Sequence, residues 1–376
     1  MMQGSTMGLI PLGSQESLWG PIFAGRGLIK KELIGKMRLI SRTFTDPIVY
    51  GYATGRVKVL ETKLFTKQRL ERLLQAADFT EQQSILAETD YGEIFENVHT
   101  AEDIEEALNK YLAKVYDFLD EVIKREAIIK FFRLKYDYHN LKVLLKTKYL
   151  GQDAERIWSH LGLLDVESAK DHIQKGTPQN LPEPYSSDVK LVIEKFEKNR
   201  DAQELDIIFD RGLYREWYEL AESLRNQFLI DFVKAVIDLA NLRTFLRAKN
   251  LGRKIEFVSE ALFNRGLIDK EILITLYTRP LNDLVKELDN TVYEPILSNT
   301  VRGKDQVDLE FFDKAADNFL LGLIKKAKLV AVGPEPLVGY IFAKENEVNA
   351  LRIILTGKMN GLPVNVIQGR IRDLYV

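Results

Sequence analysis

Apolar residues recur at steps of three and four along most of the chain, the spacing that places them on one face of an α-helix. The pattern is strongest in a stretch that occurs three times. Tyr136 to Gly151, YDYHNLKVLLKTKYLG, returns as Ile237 to Gly252, IDLANLRTFLRAKNLG, and as Asn346 to Gly361, NEVNALRIILTGKMNG, aligned over sixteen positions without a gap. Leucine stands at Leu141, Leu242 and Leu351, and again at Leu145, Leu246 and Leu355. Apolar side chains also match at Tyr138, Leu239 and Val348 and at Leu144, Phe245 and Ile354, while Phe131, Phe232 and Ile341 extend the stripe toward the N-terminus. Each copy ends at a glycine, Gly151, Gly252 or Gly361, which is expected to close the helix in the left-handed conformation.

Two charged positions recur with the stripe: acidic Asp137, Asp238 and Glu347, and basic Lys142, Arg243 and Arg352. Five residues at about 100° each separate them by roughly 140°, so they bracket the apolar face. Coiled coils keep partner-selecting charges at such flanks. The six are therefore candidates for an interface between modules or with a partner. The competing reading is local, because Arg133 with Asp137 and Lys234 with Asp238 have the spacing of solvated i, i+4 pairs.

Around these signatures the chain reads as helix throughout. Asp46-Pro47 has the form of an N-cap followed by a favoured first helical residue, and the GxxxG of Gly51 and Gly55 in that helix marks either close helix contact or, more simply, tolerated small residues. Thr80 with Gln83 and Thr100 with Asp103 resemble capping boxes. Ala101 to Leu150 lacks Pro and Gly, and a break is expected near Asp120 to Lys124 because one helix of that length is unusual in a globular domain. Asp165 in GLLDVE and Asp269 in GLIDKE are placed to cap short helices. VKLVI and ILITLY fit amphipathic helices better than strands. A fainter echo pairs LAETDYGEIF (86–95) with LDNTVYEPIL (288–297), sharing Leu, Thr, Tyr and Ile, while GTPQNLPEPYSSD (176–188) reads as a turn-rich loop.

The acidic signature positions lie 101 and 109 residues apart, which is too long for common helical solenoids. The spacing suits three similar modules, expected at 46–160, 161–265 and 266–376. Residues 1–45 lack the basic and apolar regions of a signal peptide and read as a disordered or weakly attached extension, or as an upstream start choice preceding Met37.

Composition narrows the function. With 53 basic and 55 acidic residues the net charge is −2, which provides no field for nucleic acid. The absence of cysteine removes disulfides, thiolate nucleophiles and zinc-thiolate sites. No stretch approaches the eighteen or so apolar residues of a spanning helix. His99, His139, His160 and His172 make no metal-binding i, i+4 pair. TGKMNG (356–361) carries Arg352 and Met359 where a phosphate loop needs Gly and Ser or Thr, so direct nucleotide binding is not expected there. No catalytic, cofactor or metal residue stands out.

RLKYDYHNLKVLLKTKYLG, its echo DLANLRTFLRAKNLG, the final ENEVNALRIILTGKMNGL and the opening YGYATGRVKVLETKLF together resemble the C subunit of prokaryotic V/A-type rotary ATPases, the counterpart of the eukaryotic d subunit. The resemblance runs from about Asp46 to the C-terminus. It implies an all-α fold of three similar helical modules in a pseudo-threefold, funnel-shaped arrangement. It further implies a non-catalytic, peripheral protein on the cytoplasmic face of the membrane, without cofactors. Its partners would be the central shaft subunits and the membrane proteolipid rotor ring, which it would couple during ATP-driven ion transport or ATP synthesis. A general helical scaffold or adaptor of another complex is the alternative.

Overall fold

The three signatures fold as long helices because their stripe has the helical period and a glycine waits at each end. The computed structural model describes residues 47–123, 126–151, 158–302 and 306–376. The signature helices are α6 (Glu126–Leu150), α10 (Gln227–Asn250) and α16 (Pro334–Met359). Gly151, Gly252 and Gly361 follow them at φ of 65°, 60° and 67°, the left-handed closure expected of them. All six recurring leucines are 0 % exposed.

Between and around these staves run α1 (Pro47–Glu61), α2 (Lys67–Gln75), α3 (Phe79–Ala87), α4 (Gly92–Phe95), α5 (Ala101–Val122), α7 (Val166–Gln174), α8 (Tyr185–Asn199) and α9 (Ala202–Ser223). They continue as α11 (Ile255–Ala261), α12 (Lys270–Tyr277), α13 (Leu281–Glu287), α14 (Glu294–Thr300), α15 (Leu309–Lys325) and α17 (Val364–Arg370). Among the described residues the fold is all-α apart from two-residue strands, Val301–Arg302 and Gln306–Val307, paired antiparallel with Val301 opposite Val307. VKLVI lies within α8 and ILITLY within α12.

Side-chain caps fix several helix starts. Thr100 and Asp103 form the expected reciprocal capping box at the start of α5, and Asp165 and Asp269 cap α7 and α12. The expected break falls at Ile123, whose extended backbone (ψ 103°) ends α5. Thr80 is not the cap of α3. Asp78 accepts from the Glu81 amide at 2.9 Å, and Glu81 returns a bond to the Ala77 amide at 2.6 Å. An aspartate two residues earlier offers the stronger acceptor, which frees Gln83 to donate to Phe95 O and Val98 O, each at 3.0 Å. A Cβ added at Gly51 or Gly55 would meet nothing within 4 Å, in keeping with tolerated small residues. The expected N-terminal extension, 1–45, lies outside the described residues.

Among the described residues, 130–316 form one compact unit, and the segments up to 129 and from 317 onward form the other. In the first unit α9 packs on both α8 and α10, and α10 also packs on α11 and α12. In the second, α16 packs on α5 and α1, with α2 and α3 against its flank. The second unit is thus built from two segments far apart in the sequence. Truncating a stave leucine should open a cavity in this packing: Leu141→Ala, Leu242→Ala and Leu351→Ala should each cost about 2–5 kcal/mol, measured as a shift in urea midpoint with an unchanged slope.

Candidate functional site

The acidic member of each charge bracket is buried, Asp137 and Asp238 at 0 % exposure and Glu347 at 2 %. The solvated i, i+4 reading therefore fails for both aspartates. The side chain of Arg133 reaches Leu161 O at 3.1 Å, and the carboxylates are occupied by backbone.

Asp137 accepts from the Leu163 and Leu164 amides and from the Tyr185 hydroxyl, all at 2.7 Å. Asp238 accepts from the Leu267 and Ile268 amides at 3.0 Å and from the Tyr293 hydroxyl at 2.7 Å. Glu347 accepts from the Phe65 amide at 2.6 Å and from Tyr91 Oη and Lys344 Nζ at 2.7 Å. Each carboxylate thus meets three donors and joins the same three parts. Its stave is tied to the loop that starts a short helix, where Asp165, Asp269 and Thr66 are the N-caps of α7, α12 and α2. It is also tied to a tyrosine at the start of a further helix, Tyr185 in α8, Tyr293 before α14 and Tyr91 before α4.

This arrangement explains the Thr-x-Tyr echo. Thr89 donates to Leu86 O and Thr291 to Leu288 O, both at 2.6 Å. The amides of Tyr91 and Tyr293 return to those threonine oxygens at 3.2 and 3.3 Å. Two identical turns thereby aim two tyrosines at two carboxylates. The middle counterpart is Tyr185, the first residue of α8, directly after the prolines that obscured it.

The third lock replaces one loop amide with Lys344 and differs in one further, coupled respect. At Gly162 a Cβ would overlap Asp137 Oδ1, and at Gly266 it would overlap Asp238 Oδ1, so the short aspartate needs a loop that approaches without a side chain. At the corresponding place before Leu64-Phe65, the third copy has Lys63, and its carboxylate is the longer Glu347. One methylene in the acid stands in for the missing glycine in the loop.

The basic members are also paired. Lys142 meets Asp210 on α9 at 2.5 Å, Arg243 meets Asp313 on α15 at 2.6 Å, and Arg352 meets Glu105 on α5 at 2.7 Å. Each links its stave to another long helix. Periodicity missed Asn140 and Asn241, both fully buried. Asn140 accepts from the Ser159 amide at 2.7 Å and donates to Ser159 O at 2.8 Å; Asn241 makes the same pair with Phe263 at 2.8 and 2.7 Å. Their signal was an asparagine at one register in two copies, with Ala350 in the third.

Burial dominates the electrostatics. It pushes the Asp238 carboxyl up to about 7, against the downward pull of the Ile268 amide, the Tyr293 hydroxyl and the Leu267 amide. Asp137 is raised for the same reason, against Leu164, Tyr185 and Leu163. Asp210 is raised by burial and drawn back by Lys142. Among the described residues no group of three His, Cys, Asp or Glu could hold a metal ion, and no helix is long and apolar enough to cross a membrane. With every lock oxygen engaged, what these groups do is immobilise loops on helices.

Repeated helical staves with their recurring acids turned inward define an all-helical protein of triplicated sequence. Residues 53–370 match the model of the ATP synthase (C/AC39) subunit family, and the chain belongs to that family. The C subunit of the V-type sodium ATPase of Enterococcus hirae is 28 % identical over 316 residues, covering 84 % of this chain and 95 % of the relative. The C subunit of the A-type ATP synthase of Methanocaldococcus jannaschii is 26 % identical over 355 residues, 89 % of each chain. That of Thermococcus kodakarensis is 27 % identical over 338 residues, covering 85 % and 89 %. The resemblance drawn from the signature helices to the C subunit of V/A-type ATPases therefore holds.

Two outcomes test the locks. Asp238→Asn gives three donors a single acceptor oxygen and should lower stability by about 2 kcal/mol at pH 8, where the wild-type carboxyl is ionised. Because the folded carboxyl titrates near 7 and the unfolded one near 3.8, the folded state holds the extra proton between those values. Wild-type stability relative to this variant should then fall by a few kcal/mol at most as pH rises from 5 to about 7 and level off above it, read from urea melts between pH 5 and 8. Glu347→Asp should cost about 2 kcal/mol by leaving buried donors unmet. Adding Lys63→Gly should recover part of that loss, whereas Lys63→Gly alone should not stabilise the protein.

Proposed function

We propose that this chain is a non-catalytic socket that couples the rotating central shaft to the membrane proteolipid ring of a V/A-type ATPase, during ATP-driven ion transport or ATP synthesis. It acts from the cytoplasmic face as a peripheral subunit. Its family membership carries this reading, and the repeated lock supports it physically. A part that transmits torque has to resist deformation, and three buried carboxylates each fix a loop, a tyrosine and a stave in one arrangement. Low-compressibility packing of the leucine stripe adds to that stiffness.

On this reading the three modules stand about a pseudo-threefold axis as a funnel. The modules are the three that the repeat spacing suggests, 46–160, 161–265 and 266–376. Asp137, Asp238 and Glu347 serve the socket from inside the modules. Lys142, Arg243 and Arg352 keep partial exposure, which suits them to an adjoining module or the shaft as well as to their present partners.

The test uses the whole complex, prepared from membranes with and without this chain. ATP hydrolysis by the head should persist without it, while ATP-driven ion uptake should fall at least tenfold and the shaft should no longer co-purify with the ring. Unchanged ion uptake, or binding of the chain to neither shaft nor ring, would favour the scaffold reading instead.

A further inference from the structure

We propose that Ile371–Val376 is a strap that fastens the second unit shut, holding the helix near the start of the chain to the last stave. The segment follows α17 and lies just beyond the family-matched residues 53–370. It has no regular secondary structure, yet Leu374 and Tyr375 are buried. An irregular segment with buried side chains must find partners for its backbone elsewhere. Here those partners are side chains of the elements it crosses.

Arg372 Nε meets Asp317 Oδ2 of α15 at 2.8 Å, and the Asp373 amide donates to Asn318 Oδ1 of the same helix at 3.0 Å. Asn346 of α16 donates to Asp373 O at 2.6 Å. Lys328, in the 3-10 turn Lys326–Leu329, donates to Tyr375 O at 2.7 Å and lies over the Tyr375 ring, 4.3 Å from its centroid. The Tyr375 hydroxyl donates to Glu61 Oε1 at the end of α1, at 3.4 Å. Six residues thus touch α1, α15, the turn and α16.

The seat for the tyrosine is built into the stave. Gly339 lies inside α16, where glycine is unfavourable for a helix. A Cβ there would stand 2.7 Å from the Tyr375 hydroxyl and 3.0 Å from Ala327 Cβ. Its backbone does not need left-handed freedom, so the space itself is what glycine provides. The second unit is assembled from two distant parts of the sequence, and the strap crosses the join between them. Its anchor Asn346 stands next to Glu347, but its hydrogen bonds go to residues other than those of the Glu347 lock.

Hydrogen exchange on the full-length protein, read by mass spectrometry, tests the strap. Deleting 371–376 should raise exchange at least tenfold in α1 and in 334–341, while peptides holding Leu267 and Ile268 stay within twofold. Arg372→Ala and Tyr375→Phe keep the chain length and should give smaller rises in the same places. These two decide the matter if the deletion does not fold. Unchanged exchange in α1 and α16, or an equal rise across 130–316, would overturn the proposal. The coupling role is not at stake in this result, since it is read from ion uptake.

Discussion

A carboxylate taken out of water survives in a protein only when donors replace its hydration, and this structure depends on doing so three times. An isolated buried carboxylate is too costly to keep ionised. Asp137, Asp238 and Glu347 each collect three donors, at least one of them a loop amide. The dependence runs both ways, because those amides lie at the starts of short helices and the acid supplies the acceptor they meet. A loop that would otherwise be free to shift acquires one position relative to its stave.

The staves themselves were legible in the sequence, since their period, their glycine ends and most caps are properties of neighbouring residues. The acids were legible as recurring charges but not as buried ones. An aspartate four residues from Arg133 or Lys234 has the same local pattern whether it faces water or a loop, and burial is decided by chain far away. The partners of Asp137 lie 26 to 48 residues on, and Phe65 is 282 residues from Glu347. Tyr185 was hidden by the prolines around it, although its two counterparts had been paired by their Thr-x-Tyr turns. Asn140 and Asn241 escaped because helical periodicity asks only whether a position is apolar.

Sequence order also concealed how the repeats close. The first two staves take their loop and tyrosine from the segments that follow them. The third takes them from residues 65 and 91, so the last signature completes its lock with the beginning of the chain. The exchange of Asp and Gly for Glu and Lys63 falls in that copy alone. One contact can therefore be built from different residues when a side chain's reach and a backbone's approach change together.

For a proposed coupling socket the consequence is mechanical: rigidity comes from polar fastenings set inside apolar packing, and apolar area alone does not position a loop. The most direct measurement is native-state hydrogen exchange, by NMR, of the amides of Leu163, Leu164, Leu267, Ile268 and Phe65. If the locks hold the structure as argued, these loop amides exchange within about tenfold of the slowest amides in α6, α10 and α16, because they open only by sub-global unfolding. Exchange at the rate of exposed loops would contradict the account.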